Sequence, residues 1–151
     1  MGSPMERAIA LAREAYAANE VPVGAVVTCA GEIVAEARNE TLALNDPTAH
    51  AEVLAIRRAG AALGSQRLER CDLHVSLEPC AMCAGAVSFA RIRRLFYAAA
   101  DPKGGAVAHG PRFFTQPTCH HAPEVYDGLA EREAADLLRR FFLERRGNGR
   151  S

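Results

Sequence analysis

Two short stretches carry residues whose types and spacing can do chemistry. Residues 46–52 read Asp-Pro-Thr-Ala-His-Ala-Glu, and residues 77–83 read Leu-Glu-Pro-Cys-Ala-Met-Cys. Cys80 and Cys83 are three apart, so on a helix they share a face. In a first helical turn, free N–H groups and the positive dipole end favour thiolate over thiol. Thiolate is the form that binds zinc. His50 supplies a third donor. Residues two apart on a helix point to different sides, yet His50 and Glu52 can converge on a target beyond a helix end. One His and two Cys leave the fourth position of tetrahedral zinc for water, as in a catalytic rather than a structural site. The metal then makes water nucleophilic near neutral pH. Glu52 is expected as the general acid/base beside the metal and not as a ligand.

Other readings of the same residues exist. A Cys-x-x-Cys after a strand fits a redox pair. With a His it also makes three quarters of a structural zinc site, completed by Cys71 or His74. His50 alone could be a core histidine. The joint pattern, His-Ala-Glu at one helix start and Pro-Cys-x-x-Cys at another, favours hydrolytic zinc chemistry over all three.

These residues need a frame. Residues 4–19 have Met5, Ile9, Ala12 and Tyr16 on one helical face. Residues 24–29 and 32–38 form a hairpin about the Ala30-Gly31 turn, followed by a polar loop over 39–47. Thr48 is the expected N-cap of a helix running to Leu63, with Gly64 as its stop. A strand over 72–77 leads into a helix over 80–90, which Pro79 suits as a start. A fourth strand covers 94–99. Residues 101–123 are rich in Gly, Pro and His and read as a long functional loop. Ala134, Leu137, Leu138 and Phe141 mark a C-terminal amphipathic helix. This alternation argues a layered α/β domain. Its expected extent is 5–146, with a tail over 147–151 and Met5 as an alternative native start that leaves 1–4 as an added remnant.

The composition narrows the class. A chain of 151 residues with 49% hydrophobic and 24% charged residues is one ordinary globular domain. No apolar run approaches a membrane span. Eighteen basic and eighteen acidic residues cancel, so any nucleic-acid binding needs a local patch. Five cysteines without an export signal favour metal binding or free thiols over a disulfide framework.

His50-Ala51-Glu52 with Pro79-Cys80-x-x-Cys83 resembles the cytidine deaminase superfamily, a zinc chemistry that general accounts of base deaminases describe with this motif. Residues 20–25 (Glu-Val-Pro-Val-Gly-Ala), 45–52 and 77–86, with Arg91-Ile92 and residues 101–106, resemble more closely the bacterial tRNA-specific adenosine deaminases, over about residues 5–146. The resemblance implies a three-layer α/β/α fold with a mixed sheet of about five strands, one Zn2+ per subunit, a homodimer and a cytoplasmic enzyme. It implies hydrolytic deamination of the wobble adenosine in an arginine tRNA anticodon stem-loop, giving inosine and ammonia. By matching positions, Asn39 binds the flipped base, Ala51 borders it, Pro22 and Val23 wall the pocket, and Asp101 and Lys103 meet neighbouring nucleotides. Residues 107–114 depart from the familiar family pattern. A deaminase of a free base or nucleoside, of guanine or cytosine type, shares the zinc motif and is the alternative; a non-catalytic scaffold is disfavoured because Glu52 is present.

Other features have plainer expectations. Cys119, His120 and His121 read as a free Cys and two loop histidines near the pocket, His121 among the substrate contacts, rather than as a second metal site. Cys29 and Cys71 read as small buried hydrophobes. Arg91, Arg93 and Arg94, and Arg139, Arg140, Arg145 and Arg146, are basic clusters that could meet phosphate. Phe113 and Phe114 are expected in the core or a dimer contact before base stacking.

Overall fold

The computed structural model describes residues 2–147, apart from the Arg146 side chain; Met1 and residues 148–151 of the expected 147–151 tail lie outside the described residues. Helix α1 (Pro4–Ala17) leads into strands β1 (Gly24–Cys29) and β2 (Glu32–Arg38). Helix α2 (Ala51–Leu63), strand β3 (Cys71–Leu77), helix α3 (Ala81–Ala90) and strand β4 (Arg94–Ala99) follow. A 3₁₀ turn (Phe113–Thr115), strand β5 (Glu124–Asp127) and helix α4 (Glu131–Gly147) complete the chain. The five strands form one mixed sheet in the order β2-β1-β3-β4-β5. β1 is antiparallel to both neighbours, whereas β3, β4 and β5 are parallel.

Strand alternation builds the three layers. Ala25 and Val27 of β1 point to the face that packs Leu54, Ala55 and Ala59 of α2 and Val87 and Ala90 of α3. Val26 points to the other face, under Met5, Ile9 and Ala12 of α1 and Ala134 and Leu137 of α4. Successive strand side chains face opposite ways, so one strand serves both layers. Gly24 is where α1 comes closest. A Cβ there would fall 2.0 Å from Ala8 O and 2.7 Å from Ala12 N, both fixed backbone atoms.

Most expected elements stand within a residue or two, and the differences are local. Ser3 Oγ accepts Glu6 N–H at 3.1 Å as the N-cap and Pro4 opens α1, the expected first residue of that helix. Ala30 (φ 52°) and Gly31 (φ 81°) both take the left-handed region that a type I′ hairpin turn requires. β5 was not expected from its own residues. All its side chains are exposed, so it carries no buried periodicity; parallel pairing with β4 creates it.

The arginine clusters serve the fold. Arg93 holds Asp72 through two bonds of 3.1 Å, and Arg91 is the left-handed C-cap of α3. Arg139 pairs with Asp136. Arg140 lies 5.7 Å over the Tyr16 ring. Arg145 lies 4.6 Å over Phe141 and donates to Asn19 O at 2.7 Å, clamping α4 to α1.

His74 is not a metal ligand. It lies on the β3 face opposite α2, stacked 4.8 Å from Phe96, with its Nε2 3.0 Å from Thr28 Oγ1. Burial holds it below the ordinary 6.5. The folded state therefore favours neutral His74, and the unfolded chain takes up the proton first as pH falls. Stability is kept above 6.5 and lost on acidification below it. Thermal melts should show His74→Phe, which keeps the stack, losing less stability than wild type between about pH 7 and about pH 5.5; equal losses would refute this assignment.

Candidate metal centre and active site

β3 runs straight into Glu78, Pro79 and Cys80, and α3 begins at Ala81. Cys80 is the N-cap of α3, with φ −73° and ψ 178°. Cys83 lies in the first turn and is buried. The N-terminus of α2 meets it from the side. His50 is the N-cap there, extended at φ −74° and ψ 150°, and its side chain makes no capping bond. Asn39 Oδ1 does that work instead, accepting Ala51 N–H at 2.8 Å. The expected cap, Thr48, is two residues too early: its N–H and hydroxyl both donate to Asp46 Oδ1, at 2.8 and 2.7 Å. An Asx turn at 46–48 thus stops the helix from starting until Ala51.

This arrangement resolves the spacing problem. His50 has extended backbone and Glu52 helical backbone, so the two need not diverge as residues within one helix do. His50 Nδ1 lies 3.6 Å from Cys80 Sγ and 3.5 Å from Cys83 Sγ. All three donor atoms lie within 4.8 Å of one another. Zinc bonds of about 2.3 Å to sulfur and about 2.05 Å to nitrogen, at the tetrahedral angle, put N and S about 3.6 Å apart. The donor set and its spacing therefore fit zinc with one position left over.

The electrostatics suit a cation. Hydrogen bonding from the Cys83 thiol, then from His50 and the Cys83 N–H, pulls Cys80 down to about 4 against its burial. Cys83 moves up, first through that same bond and then through burial. A bound cation stabilises both sulfurs as thiolates and releases their protons. His50 is raised, chiefly by its bond to Cys80. Glu52 is buried and contacts the cluster through Cys83. Burial pushes it up to about 7, and the Cys80 charge adds to this while His50 opposes it.

Several expected substrate contacts gather here. Pro22 is fully buried and Val23 nearly so, and Val23 O accepts Asn39 N–H at 3.1 Å. Pro22, Val23, Asn39 and Ala51 thus adjoin His50 and Glu52. Asn39 Oδ1 is occupied by Ala51, which leaves its amide NH2 as the donor. Asp101 Oδ1 accepts Lys103 N–H at 3.2 Å and Gly104 N–H at 3.0 Å, so it folds its own loop. Lys103 is exposed.

His121 lies elsewhere within this chain. Its Nε2 bonds Ile92 O at 2.7 Å, past the C-terminal end of α3 and a helix length from Cys80. Ser88 Oγ donates to His121 O at 2.7 Å and Cys119 Sγ contacts both groups. These residues latch the loop onto α3. Among the described residues, the only His/Cys/Asp/Glu cluster that could hold a metal is His50, Cys80 and Cys83. Phe114 packs against the α2/α3 core. Phe113 crosses it edge-on at 6.0 Å and lies close to Gly85.

Two functional residues escape a sequence reading. Glu20 is buried and accepts Thr41 Oγ1–H and the N–H groups of Leu42 and Ala43, fixing the loop after Asn39. Glu78 is also buried and binds the loop after β4. Each sits inside a motif, but its partners are remote in sequence.

A His/Cys/Cys cluster at two helix N-termini, with a buried glutamate beside it, defines a zinc-dependent hydrolytic deaminase site. The family model for the cytidine and deoxycytidylate deaminase zinc-binding region matches residues 3–99, and the chain belongs to that family. The tRNA-specific adenosine deaminase of Agrobacterium fabrum is 61% identical over 142 residues, 94% of this chain and 93% of that protein. A solved tRNA:A34 deaminase, studied for A-to-I editing at the wobble position, superposes with a TM-score of 0.88 at 60% identity, covering 89% of this chain and 98% of that one. The guanine deaminase of Nitrosomonas europaea superposes with a TM-score of 0.77 at 30% identity, covering 91% and 82%.

Replacing His50, Cys80 or Cys83 by Ala should weaken zinc binding by at least about 100-fold, beyond the roughly 10–100-fold typical of an outer partner. Metal analysis of dialysed protein reads this directly. Full zinc occupancy in any of the three variants would remove that residue from the ligand set.

Proposed function

We propose that this chain deaminates the wobble adenosine of an arginine tRNA anticodon loop to inosine. The observation that carries the reading is the likeness of 61% along nearly the whole chain to a tRNA-specific adenosine deaminase, which extends beyond the zinc motif that free-base deaminases share. The reaction adds water across the purine carbon bearing the amino group. A C–O bond forms, the C–N bond breaks and ammonia leaves. Bound zinc supplies the Lewis acidity that makes water a nucleophile near neutral pH.

The chain's residues handle protons and position. The Glu52 carboxylate takes one proton of the attacking water and passes it to the ring nitrogen; it then takes the second from the added hydroxyl and delivers it to the departing amine. A carboxyl pushed up to about 7 by burial suits both directions of transfer. The Asn39 NH2 is a donor for an acceptor on the flipped base. The Ala51 backbone, Pro22 and Val23 bound the base. Asp101 and Lys103 lie on the loop after β4, where neighbouring nucleotides pass.

A homodimer fits the same reading. A groove of about 630 Å³ runs between α2 and α3, lined by Val53, Ile56, Ala86 and Phe89 among others, and none of the metal ligands lines it. Phe89 is 86% exposed and Met82 37%. A second copy of the chain is the proposed cover, and it would bring the distant His121 latch near an interface. The alternative substrate, a free base, is favoured by the shared fold of a guanine deaminase and by zero net charge.

Mass spectrometry on matched incubations separates the two substrates. An arginine-tRNA anticodon stem-loop should gain about 1 Da at its wobble adenosine. Guanine, cytosine and their nucleosides should turn over at least about 100-fold more slowly. Turnover confined to the free bases would move the substrate to the alternative.

A further inference from the structure

Glu78 is the most heavily bonded carboxylate among the described residues. Its side chain is 0% exposed. Oε2 accepts the N–H groups of Val107, Ala108 and His109 at 3.1, 2.9 and 3.1 Å. Oε1 accepts Asp101 N–H at 3.0 Å and lies 2.8 Å from His109 Nδ1. Beside it, Ala106 N–H bonds Pro79 O at 2.9 Å. Both ends of the 101–109 loop are therefore fastened to the two residues immediately before Cys80. Gly105 closes against the same carboxyl group: a Cβ there would fall 2.4 Å from Glu78 Cδ and 2.5 Å from Oε2.

We propose that Glu78 is a positioning residue for the substrate RNA, acting through the 101–109 loop that it folds into a fixed rim beside the zinc ligands. The Glu78 side chain is sealed from solvent and is not one of the three clustered metal donors. Five donors converge on its two oxygens, which no neutral side chain can satisfy. Gln presents an NH2 to donors on one side and leaves them unpaired. The rim carries Asp101 and Lys103, and it also carries His109, a partly exposed side chain whose Nδ1 lies 2.8 Å from Oε1. His109 joins the RNA-facing set on this argument. A preformed rim lowers the ordering cost of binding RNA and contributes nothing special to the chemical step. The inference rests on the RNA reading of the active site.

The test pairs steady-state kinetics on the anticodon stem-loop with amide hydrogen exchange and zinc analysis. Glu78→Gln should keep its zinc, lose protection at Val107, Ala108 and His109, raise KM about tenfold and change kcat by less than about threefold. Gly105→Ala, which pushes the loop off the carboxylate from the other side, should reproduce that split. In the double variant the KM effects should not add. Unchanged KM in a zinc-loaded Glu78→Gln, undiminished amide protection, or a fall in kcat at constant KM would each overturn the proposal. If Glu78→Gln fails to fold or loses zinc, Gly105→Ala decides alone by the same criteria. A wild-type protein inactive on the stem-loop would count against the substrate reading, and the exchange pattern would still decide whether Glu78 holds the rim.

Discussion

The convergence of two helix N-termini on one point is the constraint on which the rest of the molecule depends. α2 delivers His50 and Glu52, and α3 delivers Cys80 and Cys83. Each N-terminus concentrates unpaired N–H groups and positive potential. Two such ends side by side repel unless negative charge lies between them. The thiolates provide it, and the metal then offsets the thiolates. The sheet enforces this geometry. β3 ends at Leu77 directly before the α3 ligands, and the antiparallel β1 brings Val23 and Asn39 to the start of α2.

Three buried glutamates show how one side chain serves different ends. Glu52 is surrounded by few donors, so burial raises it to about 7 and keeps it able to exchange a proton. Glu78 is buried as well, and burial alone would raise it. Bonds from Asp101 N–H, His109 and the amides of Ala108 and Val107 outweigh that and hold it below the ordinary carboxylate value. It is an anchor and not an acid. Glu20 fixes the loop after Asn39 in the same manner, through backbone donors. Donors around the group, and not burial alone, separate the proton carrier from the structural anchors.

The sequence made much of this legible. The His-Ala-Glu and Pro-Cys-x-x-Cys spacings named the cluster, because ligand type and helix position are local properties. The Ala30-Gly31 turn and the Gly64 stop were readable for the same reason. What failed to show was non-local. Asn39 caps α2 from a residue 12 positions away, so Thr48 looked like the better cap. β5 exists through its pairing with β4 and has no buried face of its own. His121 lies in the loop after β4, yet its bonds to Ile92 and Ser88 carry it to the far end of α3. Glu20 and Glu78 sit inside motifs but gain a role only when their remote partners are seen.

The central claim is that Glu52 moves protons beside a metal it does not hold. Zinc content and turnover measured together on Glu52→Gln test it most directly. The account predicts about one zinc per chain, as in wild type, with deamination slowed by at least about 100-fold. Turnover close to wild type, or zinc lost along with the carboxylate, would contradict it.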